Sequence, residues 1–398
     1  MAGKHIAVDA SEIGEINKSG RATFSINLLR ALSIIDAVNR YSVFTVYDAD
    51  KDALDNPNFN VKAMHRALQA LPPFITSLSW YYWYFTGLSL QLRQINPDIF
   101  FSLSPSLPPC CPGPAVCIIY DLTPLTLQHA HRLDFKVRFK LQAADAVKRS
   151  DRLITISQDA KNEIISYFGV NPDKISIVYP GFDSSLFKPE PDSEKIRRTL
   201  RKYGIEGPYL LYIGTLEPKK NITRLIEAFC RLKKDRGIDH KLVIAGKRAW
   251  KDSEIFDKIR RSGCESNIVF TGYVPQGELP TLINGADVFV FPSLHEGFGM
   301  PPLEAMACGT PVIVSNTSSL PEVVGDAAVT IDPYSTDAIA DAIYRVSSDK
   351  DLRAQMRAKG LERARLFSWE KTARQTLQVL EDTLDGYRHK RIGRNYEI

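Results

Sequence analysis

The sequence predicts an α/β protein with two Rossmann-like domains that face each other across a cleft. Three observations support this fold class. Short apolar runs alternate with helical stretches along the whole chain, as expected for parallel strands that are covered on both faces. Six such runs fall in each half of the chain. The length of 398 residues also exceeds what one hydrophobic core usually fills.

The predicted strands come in two sets, separated by a short segment that is rich in proline and charge. The first set is 5–8, 42–47, 99–102, 115–120, 152–156 and 175–178, and the second is 209–213, 241–245, 267–270, 288–291, 311–314 and 328–331. The segment 188–193, with the sequence KPEPDS, is typical of a linker. We therefore expect one domain over 1–185, a second over 186–370, and a last helix over 371–398 that gives way to a basic tail after Tyr387.

Composition excludes several classes of protein. Hydrophobic residues make up 44% of the chain and charged residues 24%, and the net charge is +5, which is too weak to indicate a nucleic-acid partner. The six cysteines are scattered and show no metal-ligand spacing, which favours a reduced, cytosolic protein without structural zinc. The first residues run directly into an apolar strand, so no signal peptide is expected.

The segment 292–311, PSLHEGFGMPPLEAMACGTP, carries the strongest functional signal. It lies between two predicted strands and should contain a short helix, because two prolines fit its first turn and Gly309 fits the residue just past its end. Gly297 and Gly299 allow close approach of a ligand to the backbone, and the N–H groups of a helix start face anions such as phosphates. Glu304 should fall in the first helical turn.

Two carboxylates frame this turn. Glu296 precedes the predicted helix and Glu304 lies within it, so the two side chains can reach opposite ends of one ligand. Each glutamate alone has an ordinary explanation: Glu304 would favour a helix N-terminus, and Glu296 would be a solvated loop charge. The combination with the glycines is what points to a nucleotide-sugar site.

This constellation resembles the E-x7-E motif of the retaining family-four glycosyltransferases of the GT-B type, also called glycosyl transferases group 1. The resemblance extends to 209–221 (YLLYIGTLEPKKN), 225–229, 267–274 and 318–326, and more loosely to the first half, including 150–157. Nearly the whole chain is covered. The chain looks most similar to bacterial mannosyltransferases that build O-antigen or capsule chains.

The resemblance implies an activity and its partners. It implies a retaining, metal-independent glycosyltransferase that moves a hexose, with mannose from GDP-mannose as the expected donor, to a glycan or lipid-linked glycan acceptor. The first domain would face the acceptor, the second would bind the nucleotide sugar, and the last helix would return to the first domain. No cofactor is implied. The expected location is the cytoplasm, with peripheral contact at the inner face of the membrane left open.

The family's donor-site residues match positions in the second half of this chain. Lys220 matches the lysine that neutralises the leaving diphosphate. Glu296 matches the carboxylate under the transferred sugar, and Glu304 the one that accepts hydrogen bonds from the ribose hydroxyls. The remaining matched positions are Thr215, Lys219, Gly272, Tyr273, Val274, Gly297, Phe298, Gly299 and Met300.

Some of these positions depart from the family pattern. Thr215 stands where relatives often carry an arginine. Lys219 would then substitute for that cation, or backbone N–H groups would provide more of the contacts to the diphosphate. The positions Gly272, Tyr273 and Val274 would meet the base through the backbone. The backbone N–H groups from Gly297 to Met300 would reach the sugar and phosphate.

The first half also departs from the pattern. Only Gly20 remains of a glycine-rich loop, with Ala22 and Thr23 after it. Tyr120 and Asp121 stand in the place of the family's His-Asp pair, and tyrosine does not titrate near neutrality as histidine does. We expect Tyr120 to contact the donor sugar by hydrogen bonding. Ser157 corresponds to an acceptor-side position.

Two other patterns suggest metal binding. Asp48 and Asp50 form a DxD pattern after a strand, which in another fold type holds Mn²⁺ or Mg²⁺ on the nucleotide. His129 and His131 lie near Asp134. We interpret the first as incidental and the second as a variable loop that contacts the acceptor, and we predict no metal site.

The segment 71–92 contains no charged residue and is long enough to span a bilayer. Its prolines and its tyrosines and tryptophans argue against a span. The aromatic residues of 80–85 would pack in a helix core or touch a lipid-linked acceptor or membrane. The basic tail, 388–394, would be a solvated end or a site for anionic lipid headgroups.

Two alternative functions stay open at this stage. The same architecture serves nucleotide-sugar epimerases and phosphorylases, and a phosphorylase of the glycogen type would need pyridoxal phosphate. The departures at Ala22 and Tyr120 are also compatible with a non-catalytic partner that binds the nucleotide sugar without turnover.

Overall fold

The structure is a computed structural model that describes residues 3–13, 20–46, 54, 56–63, 83–127, 133–247, 259–260 and 263–394. The chain divides into two compact units. Unit 1 comprises Met1–Gly181 together with Trp369–Ile398, and unit 2 comprises Phe182–Ser368. The last helix therefore belongs to unit 1, as the resemblance implied.

Unit 1 is built on a parallel sheet of seven strands in the order β3-β2-β1-β4-β5-β6-β7. The order reverses between β1 and β4, which pair with Ile6 opposite Ile99. The strands are β1 His5–Asp9, β2 Arg40–Thr45, β3 Phe59–Ala63, β4 Ile99–Ser102, β5 Ala115–Ile118, β6 Arg152–Thr155 and β7 Ile175–Ile177. Strands β4 and β5 are buried along their whole length, as expected for the centre of a sheet that is covered on both faces.

Helices cover this sheet. Those of the described part are α1 Gly20–Ile35, α2 Leu88–Ile95, α3 Thr123–Thr126, α4 Leu133–Arg149, α5 Gln158–Phe168 and the C-terminal α13 Trp369–Arg394. A π-helical turn, Trp83–Gly87, precedes α2, and a 3₁₀ turn, Pro172–Lys174, precedes β7. One core cluster joins side chains of α2, α4 and α5 to strands β4 and β5. Helix α13 packs against α1, where the rings of Phe24 and Trp369 meet edge to face at 5.4 Å.

Unit 2 repeats the architecture with six parallel strands in the order β10-β9-β8-β11-β12-β13. Its order reverses between β8 and β11, where Val288 lies opposite Leu210. The strands are β8 Tyr209–Ile213, β9 Lys241–Ala245, β10 Ile268–Gly272, β11 Val288–Phe291, β12 Val312–Ser315 and β13 Val329–Ile331.

The helices of unit 2 follow in chain order. They are α6 Ser193–Lys202, α7 Ile222–Arg236, α8 Leu279–Gly285, α9 Met300–Ala307, α10 Leu320–Val324, α11 Thr336–Ser348 and α12 Lys350–Ala364, with 3₁₀ turns at Pro218–Lys220 and Glu265–Asn267. Side-chain caps fix several starts: Asp192 accepts from the backbone of α6, Ser335 from α11 and Asp349 from α12.

The two Rossmann-like sheets confirm the predicted fold class, and all twelve predicted strands are present. Two details of the prediction are wrong. Strand β3 was missed, because it lies at the sheet edge and buries only Phe59. Helix α13 continues to Arg394 rather than ending near Tyr387, since the basic residues that follow Tyr387 are themselves compatible with a helix.

All six cysteines are free. Within the part of the chain that the structure describes, no helix is both long enough and apolar enough to cross a bilayer. Most of the segment 71–92, including residues 80–82, lies outside the described residues. Of its aromatic residues, Tyr84 is buried in the core of unit 1 and Phe85 is exposed.

Candidate functional site

The loops that follow β8 and β11 meet at the carboxyl edge of the unit 2 sheet. These strands are neighbours at the point where the strand order reverses, which is where open α/β sheets bind ligands. The first loop leads through the 3₁₀ turn Pro218–Lys220 into α7. The second leads through Glu296 into α9.

Lys220 and Glu296 form an ion pair between these two loops. The Lys220 Nζ lies 2.6 Å from Glu296 Oε1, and the two side chains are only 13% and 12% exposed. The Ser293 hydroxyl donates a second hydrogen bond of 2.6 Å to the same carboxylate oxygen. The Lys220 ammonium also lies 5.3 Å from the ring centroid of Phe291, the last residue of β11. The two predicted charges, Lys220 and Glu296, therefore come together at this edge of the unit 2 sheet.

Electrostatics keeps the Glu296 carboxyl ionised. Burial raises its pKa, but the positive charges of Lys220 and Lys219, with the hydrogen bonds from Lys220 and Ser293, hold the pKa below its usual range. Lys219 contributes as a nearby cation whose Nζ lies 3.7 Å from Glu217 Oε1. The pair is thus a carboxylate with an ammonium.

Asn221 fixes the Lys220 loop. Its backbone adopts φ +58°, the left-handed region that asparagine tolerates better than most residues. Its side-chain amide donates to the carbonyls of Pro292 at 3.0 Å and Pro333 at 2.7 Å. The carbonyl of Lys219 in turn accepts from the backbone N–H of Leu294 at 2.8 Å. The two loops are therefore held to each other independently of the ion pair.

The loop that carries Glu296 is fixed by two serines of the segment before α10. The backbone N–H of Glu296 donates to Ser318 Oγ at 3.0 Å. The Ser319 hydroxyl contacts the carbonyls of Glu296 at 2.9 Å and Phe298 at 2.8 Å. The SSLPE segment, residues 318–322, therefore supports the loop that carries Glu296 and does not contact the charged groups of the ion pair.

The start of α9 requires a glycine. Gly299 has φ +113°, and a Cβ there would lie 2.7 Å from Leu320 Cδ2. Phe298 is buried and packs edge to face on Phe367 at 5.7 Å. Among the described residues, the backbone N–H groups of Gly297, Gly299 and Met300 have no protein acceptor. They form a donor-rich edge beside Glu296, as expected at a helix start.

Glu304 differs from Glu296 in its surroundings. It is the fifth residue of α9, so the expectation that it lies in the first turn is wrong: the helix begins at Met300, before the two prolines. Its side chain is half-buried and accepts no hydrogen bond from the described residues. Burial, with a smaller contribution from the negative charge of Asp183, raises the pKa of Glu304 to about 8.

The ends of β8, β9 and β10 form a continuous edge beside this pair of loops. The N–H of Gly214 donates to Ala245, and the N–H of Gly246 donates to Gly272, each at 2.9 Å. Gly246 has no room for a side chain, because a Cβ there would meet Gly214 O at 1.9 Å. The backbones of the three strand ends therefore lie close together along this edge.

Two predicted base-site residues differ in accessibility. Tyr273 is 63% exposed, and the Lys247 ammonium lies 4.8 Å from its ring centroid. Val274 is buried beside it. Gly272, the last residue of β10, and Thr215, on the loop after β8, are exposed at the same edge. The aromatic face and cation are the accessible side chains here, which sequence reasoning did not single out as a pair.

In unit 1 the predicted residues have partners of their own. The Tyr120 hydroxyl donates to the Leu103 carbonyl at 3.1 Å and lies 3.2 Å from Ser25 Oγ, while its ring packs edge to face on Phe24 at 5.3 Å. Burial raises the pKa of Tyr120 further above its usual value. The tyrosine is a buried, hydrogen-bonded member of unit 1, and its contact with a donor sugar stays a prediction.

Three other predicted positions in unit 1 serve local structure. Asp121 accepts from the backbone N–H of Thr123 at 2.9 Å, at the start of α3. Ser157 is the buried N-cap of α5 and accepts from Ala160. Gly20 is the exposed first residue of α1. These caps orient the ends of helices, and a ligand role for them stays a prediction as well.

Asp9 is a residue at the carboxyl edge of unit 1 that sequence reasoning missed. It ends β1, is buried, and accepts from Ser11 N at 3.0 Å, Ser102 Oγ at 3.3 Å and Ser104 Oγ at 3.4 Å. Burial raises its pKa, and those hydrogen bonds only partly offset the effect. Two features of the sequence were the available signal for this site. An acidic residue ends β1, and a Ser-x-Ser pattern lies at the end of β4.

The positions considered for metal binding cannot be compared with the structure. Asp48, Asp50, His129 and His131 lie outside the described residues. Four residues that fix the loops of the site had no role predicted from the sequence: Asn221, Ser293, Ser318 and Ser319. Their contacts join loops that are distant in the sequence, so local patterns do not reveal them.

Both halves of the chain match known families. Residues 192–363 match Glycosyl transferases group 1, and residues 23–186 match Glycosyltransferase Family 4. These two matches correspond to the second and first halves of the sequence.

Curated relatives agree with these matches. The O-antigen chain mannosyltransferase B of Escherichia coli is 38% identical over 267 residues, which cover 67% of this chain and 69% of the relative. The serotype-specific mannosyltransferase WbdA of Escherichia coli is 31% identical over 298 residues, which cover 71% of this chain but 37% of the relative. The D-inositol 3-phosphate glycosyltransferase of Corynebacterium glutamicum is 32% identical over 248 residues, 60% of this chain and 59% of the relative.

Solved structures share the fold. A glycosyltransferase from Rickettsia africae superposes with a TM-score of 0.74 at 17% identity, covering 96% of this chain and 99% of its own. Anabaena HepE in complex with UDP and glucose gives 0.72 at 17% identity, covering 95% and 100%. WaaG, which is involved in lipopolysaccharide biosynthesis, gives 0.72 at 16% identity, covering 94% and 99%. At these identities the likeness shows the GT-B fold, which confirms the predicted fold class.

Proposed function

The chain belongs to the glycosyl transferases group 1, and from this premise we propose that it moves a hexose from a nucleotide sugar to a glycan acceptor in the synthesis of a cell-surface polysaccharide. Glycosyltransferase activity follows from the family and from relatives that are themselves mannosyltransferases. The donor, the stereochemical course and the need for metal are finer parts of the proposal.

The Lys220–Glu296 ion pair is the observation that carries the proposal. Its two charges lie 2.6 Å apart where the strand order of unit 2 reverses. When a donor binds, its diphosphate would take Lys220 as a counter-ion, and the Glu296 carboxylate would be released to accept hydrogen bonds from hydroxyls of the sugar. One ligand would then satisfy both members of the pair, which avoids leaving either charge partly buried without a partner.

The neighbouring groups suit the rest of such a donor. The backbone N–H groups of Gly297, Gly299 and Met300 would receive phosphate and sugar oxygens. Among the described residues none donates a hydrogen bond to Glu304, so a ribose diol would donate to it. Exposed Tyr273 with its Lys247 cation would face the base.

GDP-mannose is the donor we favour. Two of the relatives are mannosyltransferases: the O-antigen chain mannosyltransferase B and the serotype-specific mannosyltransferase WbdA. The match to the first spans 69% of its length. The acceptor would be a growing glycan, carried on a lipid or free. The enzyme would then work at the cytoplasmic face of the membrane, as a peripheral protein with no nucleic-acid partner.

The proposed chemistry requires neither metal nor covalent intermediate. Lys220 supplies a positive charge at the leaving diphosphate, and the departing phosphate would take the proton of the acceptor hydroxyl as that hydroxyl attacks the same face of the sugar. The bond from the anomeric carbon to the donor phosphate breaks, and a new glycosidic bond forms with retained configuration. A catalytic role for Tyr120 and Asp121 is also part of the proposal.

The test is transfer by the purified chain from GDP-mannose to a mannose-terminated oligosaccharide, with and without excess EDTA. We expect an α-linked product, detected by NMR of the anomeric proton, and the same rate in EDTA. Activity lost in EDTA and restored by Mn²⁺ would contradict metal independence and direct attention to Asp48 and Asp50. A β-linked product would contradict retention. Donor binding without any turnover would favour the non-catalytic alternative, and sugar inversion without acceptor would favour an epimerase.

A further inference from the structure

The hydroxyl of Tyr212 is buried in unit 2 and has no hydrogen-bond partner among the described residues. A buried hydroxyl without a partner costs free energy, so its presence in a folded protein needs an explanation. The same strand, β8, shows the usual arrangement at its other end. Tyr209 is equally buried there, and its hydroxyl donates to the carbonyl of Leu282 at 2.5 Å. The two tyrosines therefore differ in the partner of the hydroxyl and not in burial.

The Tyr212 hydroxyl lies against the backbone of Gly214, the first residue after β8. A Cβ at Gly214 would lie 2.6 Å from the hydroxyl oxygen, which is closer than a real Cβ atom approaches. The tyrosine therefore requires a glycine at the start of the loop that leads to Lys220. A bound ligand would have to displace this backbone to reach the hydroxyl. The partner of the hydroxyl is therefore to be sought inside the protein.

The ring of Tyr212 is part of the aromatic support of the Lys220–Glu296 ion pair. It stacks on Phe291 with the ring centroids 5.8 Å apart and an interplanar angle of 13°. The Lys220 ammonium lies 5.3 Å from the centroid of the same Phe291 ring. Burial, followed by the negative charges of Glu296 and Glu217, raises the pKa of Tyr212 well above its ordinary value. The hydroxyl therefore keeps its proton and lies in the field of the Glu296 carboxylate.

The Glu296 carboxylate uses one oxygen for both of its side-chain hydrogen bonds. Lys220 and Ser293 each donate to Oε1 at 2.6 Å. Among the described residues, no group donates to Oε2. The lysine and the serine also fix the direction of the carboxylate, because both pull on the same oxygen. An unpaired hydroxyl and an unpaired carboxylate oxygen therefore occur at the same edge of the unit 2 sheet.

We propose that Tyr212 positions Glu296 in the donor-bound state, by donating a hydrogen bond from its hydroxyl to the carboxylate. When the diphosphate of the donor takes Lys220 as its counter-ion, as proposed above, the carboxylate loses its charged partner. It then turns toward Tyr212, whose hydroxyl replaces the ammonium as a donor from within the protein. Tyr212 is thus a positioning residue that acts through Glu296 and does not touch the donor. The inference rests on the proposed function, because it requires the exchange of partners at the ion pair.

Two other acceptors fit the Tyr212 hydroxyl less well. The side chain of Glu217 is 31% exposed and has the Lys219 ammonium at 3.7 Å, so it gains little from a further donor. A phosphate oxygen of the donor would meet the hydroxyl only after the backbone of Gly214 had moved. Glu296 is largely buried and would lose its cation when the donor binds. It is therefore the group that gains most from an additional hydrogen bond.

The first experiment imitates the withdrawal of Lys220 without any ligand. The thermal unfolding midpoint is measured at about pH 8, where carboxyl groups ordinarily are ionised, for Tyr212→Phe in the wild type and in Lys220→Met. In the wild type the substitution removes a hydroxyl without a partner, so the midpoint should stay the same or rise. In Lys220→Met the hydroxyl has Glu296 as its acceptor, so the same substitution should lower the midpoint by about 2 to 4 °C.

The matched control is Tyr209→Phe, which removes a hydroxyl from the same strand at equal burial. Because that hydroxyl already has Leu282 as its partner, the control should lower the midpoint by similar amounts in the wild type and in Lys220→Met. An equal effect of Tyr212→Phe in the two backgrounds would overturn the proposal, whether that effect is zero or a loss. A loss in the wild type alone would overturn it too, since the hydroxyl would then serve the ligand-free structure.

Calorimetric titration with GDP tests the bound state itself. We expect Tyr212→Phe to bind GDP about tenfold more weakly than the wild type, and Tyr209→Phe to bind it as tightly. In Glu296→Ala the substitution of Tyr212 should leave GDP affinity unchanged, because the acceptor of the hydroxyl is gone. A loss that persists in Glu296→Ala would overturn the proposal in favour of direct contact with a phosphate. Unchanged affinity in the wild-type background would overturn it as well.

The two experiments separate this proposal from the proposed function. A wild type that binds no GDP, or that binds GDP and transfers no sugar, would contradict the proposed reaction or its donor. The unfolding midpoints need no ligand, so they still decide whether Tyr212 becomes the partner of Glu296 when the lysine is removed. Sugar transfer with equal effects of Tyr212→Phe in both backgrounds would leave the reaction intact and overturn the role of Tyr212.

Discussion

Each of the two sheets has a largely buried carboxylate where its strand order reverses, but the two carboxylates have opposite surroundings. In unit 1, Asp9 ends β1 beside β4 and is held by one amide and two serine hydroxyls. In unit 2, Glu296 follows β11 beside β8 and is held by Lys220 and Ser293. Burial raises the pKa of Asp9, whereas nearby cations bring the pKa of Glu296 below its usual range.

This difference shows how one fold can provide two kinds of site. The reversal of strand order creates a crevice in both units, but the fold does not determine its charge. A carboxylate with a lysine can be released to a ligand that brings an anion, such as a diphosphate. A carboxylate among serines supports a loop. The comparison therefore supports the proposal that unit 2 binds the diphosphate of the donor.

The largest effect should come from Lys220→Met, which leaves the Glu296 carboxylate without its ammonium. We expect a loss of about 3 kcal/mol in the free energy of unfolding, because one charge of a largely buried pair becomes uncompensated. Urea unfolding followed by tryptophan fluorescence measures it. The double variant Lys220→Met/Glu296→Gln should recover most of the loss. An additive loss in the double variant would show that the pair is not coupled.

Replacing each carboxylate by the neutral amide of the same shape should have a smaller effect, and the effect should differ between the two sites. At pH 7 we expect Glu296→Gln to lower the free energy of unfolding by about 1.5 to 3 kcal/mol and Asp9→Asn by no more than about 1 kcal/mol, because only Glu296 has a cation as partner. Equal losses would contradict the comparison.

The pH dependence of these two variants should also differ in sign. The lowered pKa of Glu296 means that its contribution to stability is present above its unfolded pKa and is lost as pH falls through the folded value. The raised pKa of Asp9 means that wild-type stability is lost as pH rises through the folded value. Between about pH 3 and 5, the wild type should thus gain stability over Glu296→Gln as the pH rises, and from about pH 4 upward it should lose stability relative to Asp9→Asn. Unfolding midpoints across this pH range measure both trends.

The smallest effect should come from Tyr120→Phe. Its hydroxyl bonds to Leu103 and Ser25, so we expect a loss of about 1 kcal/mol in stability and unchanged binding of free GDP. If Tyr120 also contacts the donor sugar, transfer should fall as well, and Tyr120→His should retain appreciable activity. The control Ser25→Ala removes only the hydrogen bond between Ser25 and Tyr120 and keeps the tyrosine hydroxyl. Equal transfer by Tyr120→Phe and the wild type would mean that the hydroxyl acts only in packing.

The fold was largely predictable because fully buried strands leave a direct mark in the sequence. Runs such as 288–291 are apolar without interruption, since both faces of the sheet are covered. Strand β3 lacks this mark, because only Phe59 is buried. Pro301 and Pro302 lie in the first turn of α9 as predicted, but Met300 joins the helix ahead of them, so Glu304 is its fifth residue and lies past the first turn.

The candidate site was predictable in its residue types but not in its contacts. Lys220 and Glu296 are 76 residues apart, and their pairing depends on β8 and β11 being neighbours in the sheet. The same holds for Tyr120 with Ser25, which are separated by 95 residues. Asp9 was missed because its partners come from another strand. Long-range register, which local patterns do not contain, decides these contacts.

The central claim is that Glu304 holds the nucleotide and Glu296 the sugar, and calorimetric titration of free GDP tests it most directly. The account predicts that at about pH 9, where the Glu304 carboxyl is ionised because its pKa is about 8, Glu304→Ala binds GDP about 10- to 100-fold more weakly than the wild type, as expected for the loss of a charged hydrogen-bonding partner worth about 1.5 to 3 kcal/mol. Glu296→Ala should bind GDP as tightly as the wild type and lose mannose transfer. Equal loss of GDP affinity in the two variants would contradict the assignment.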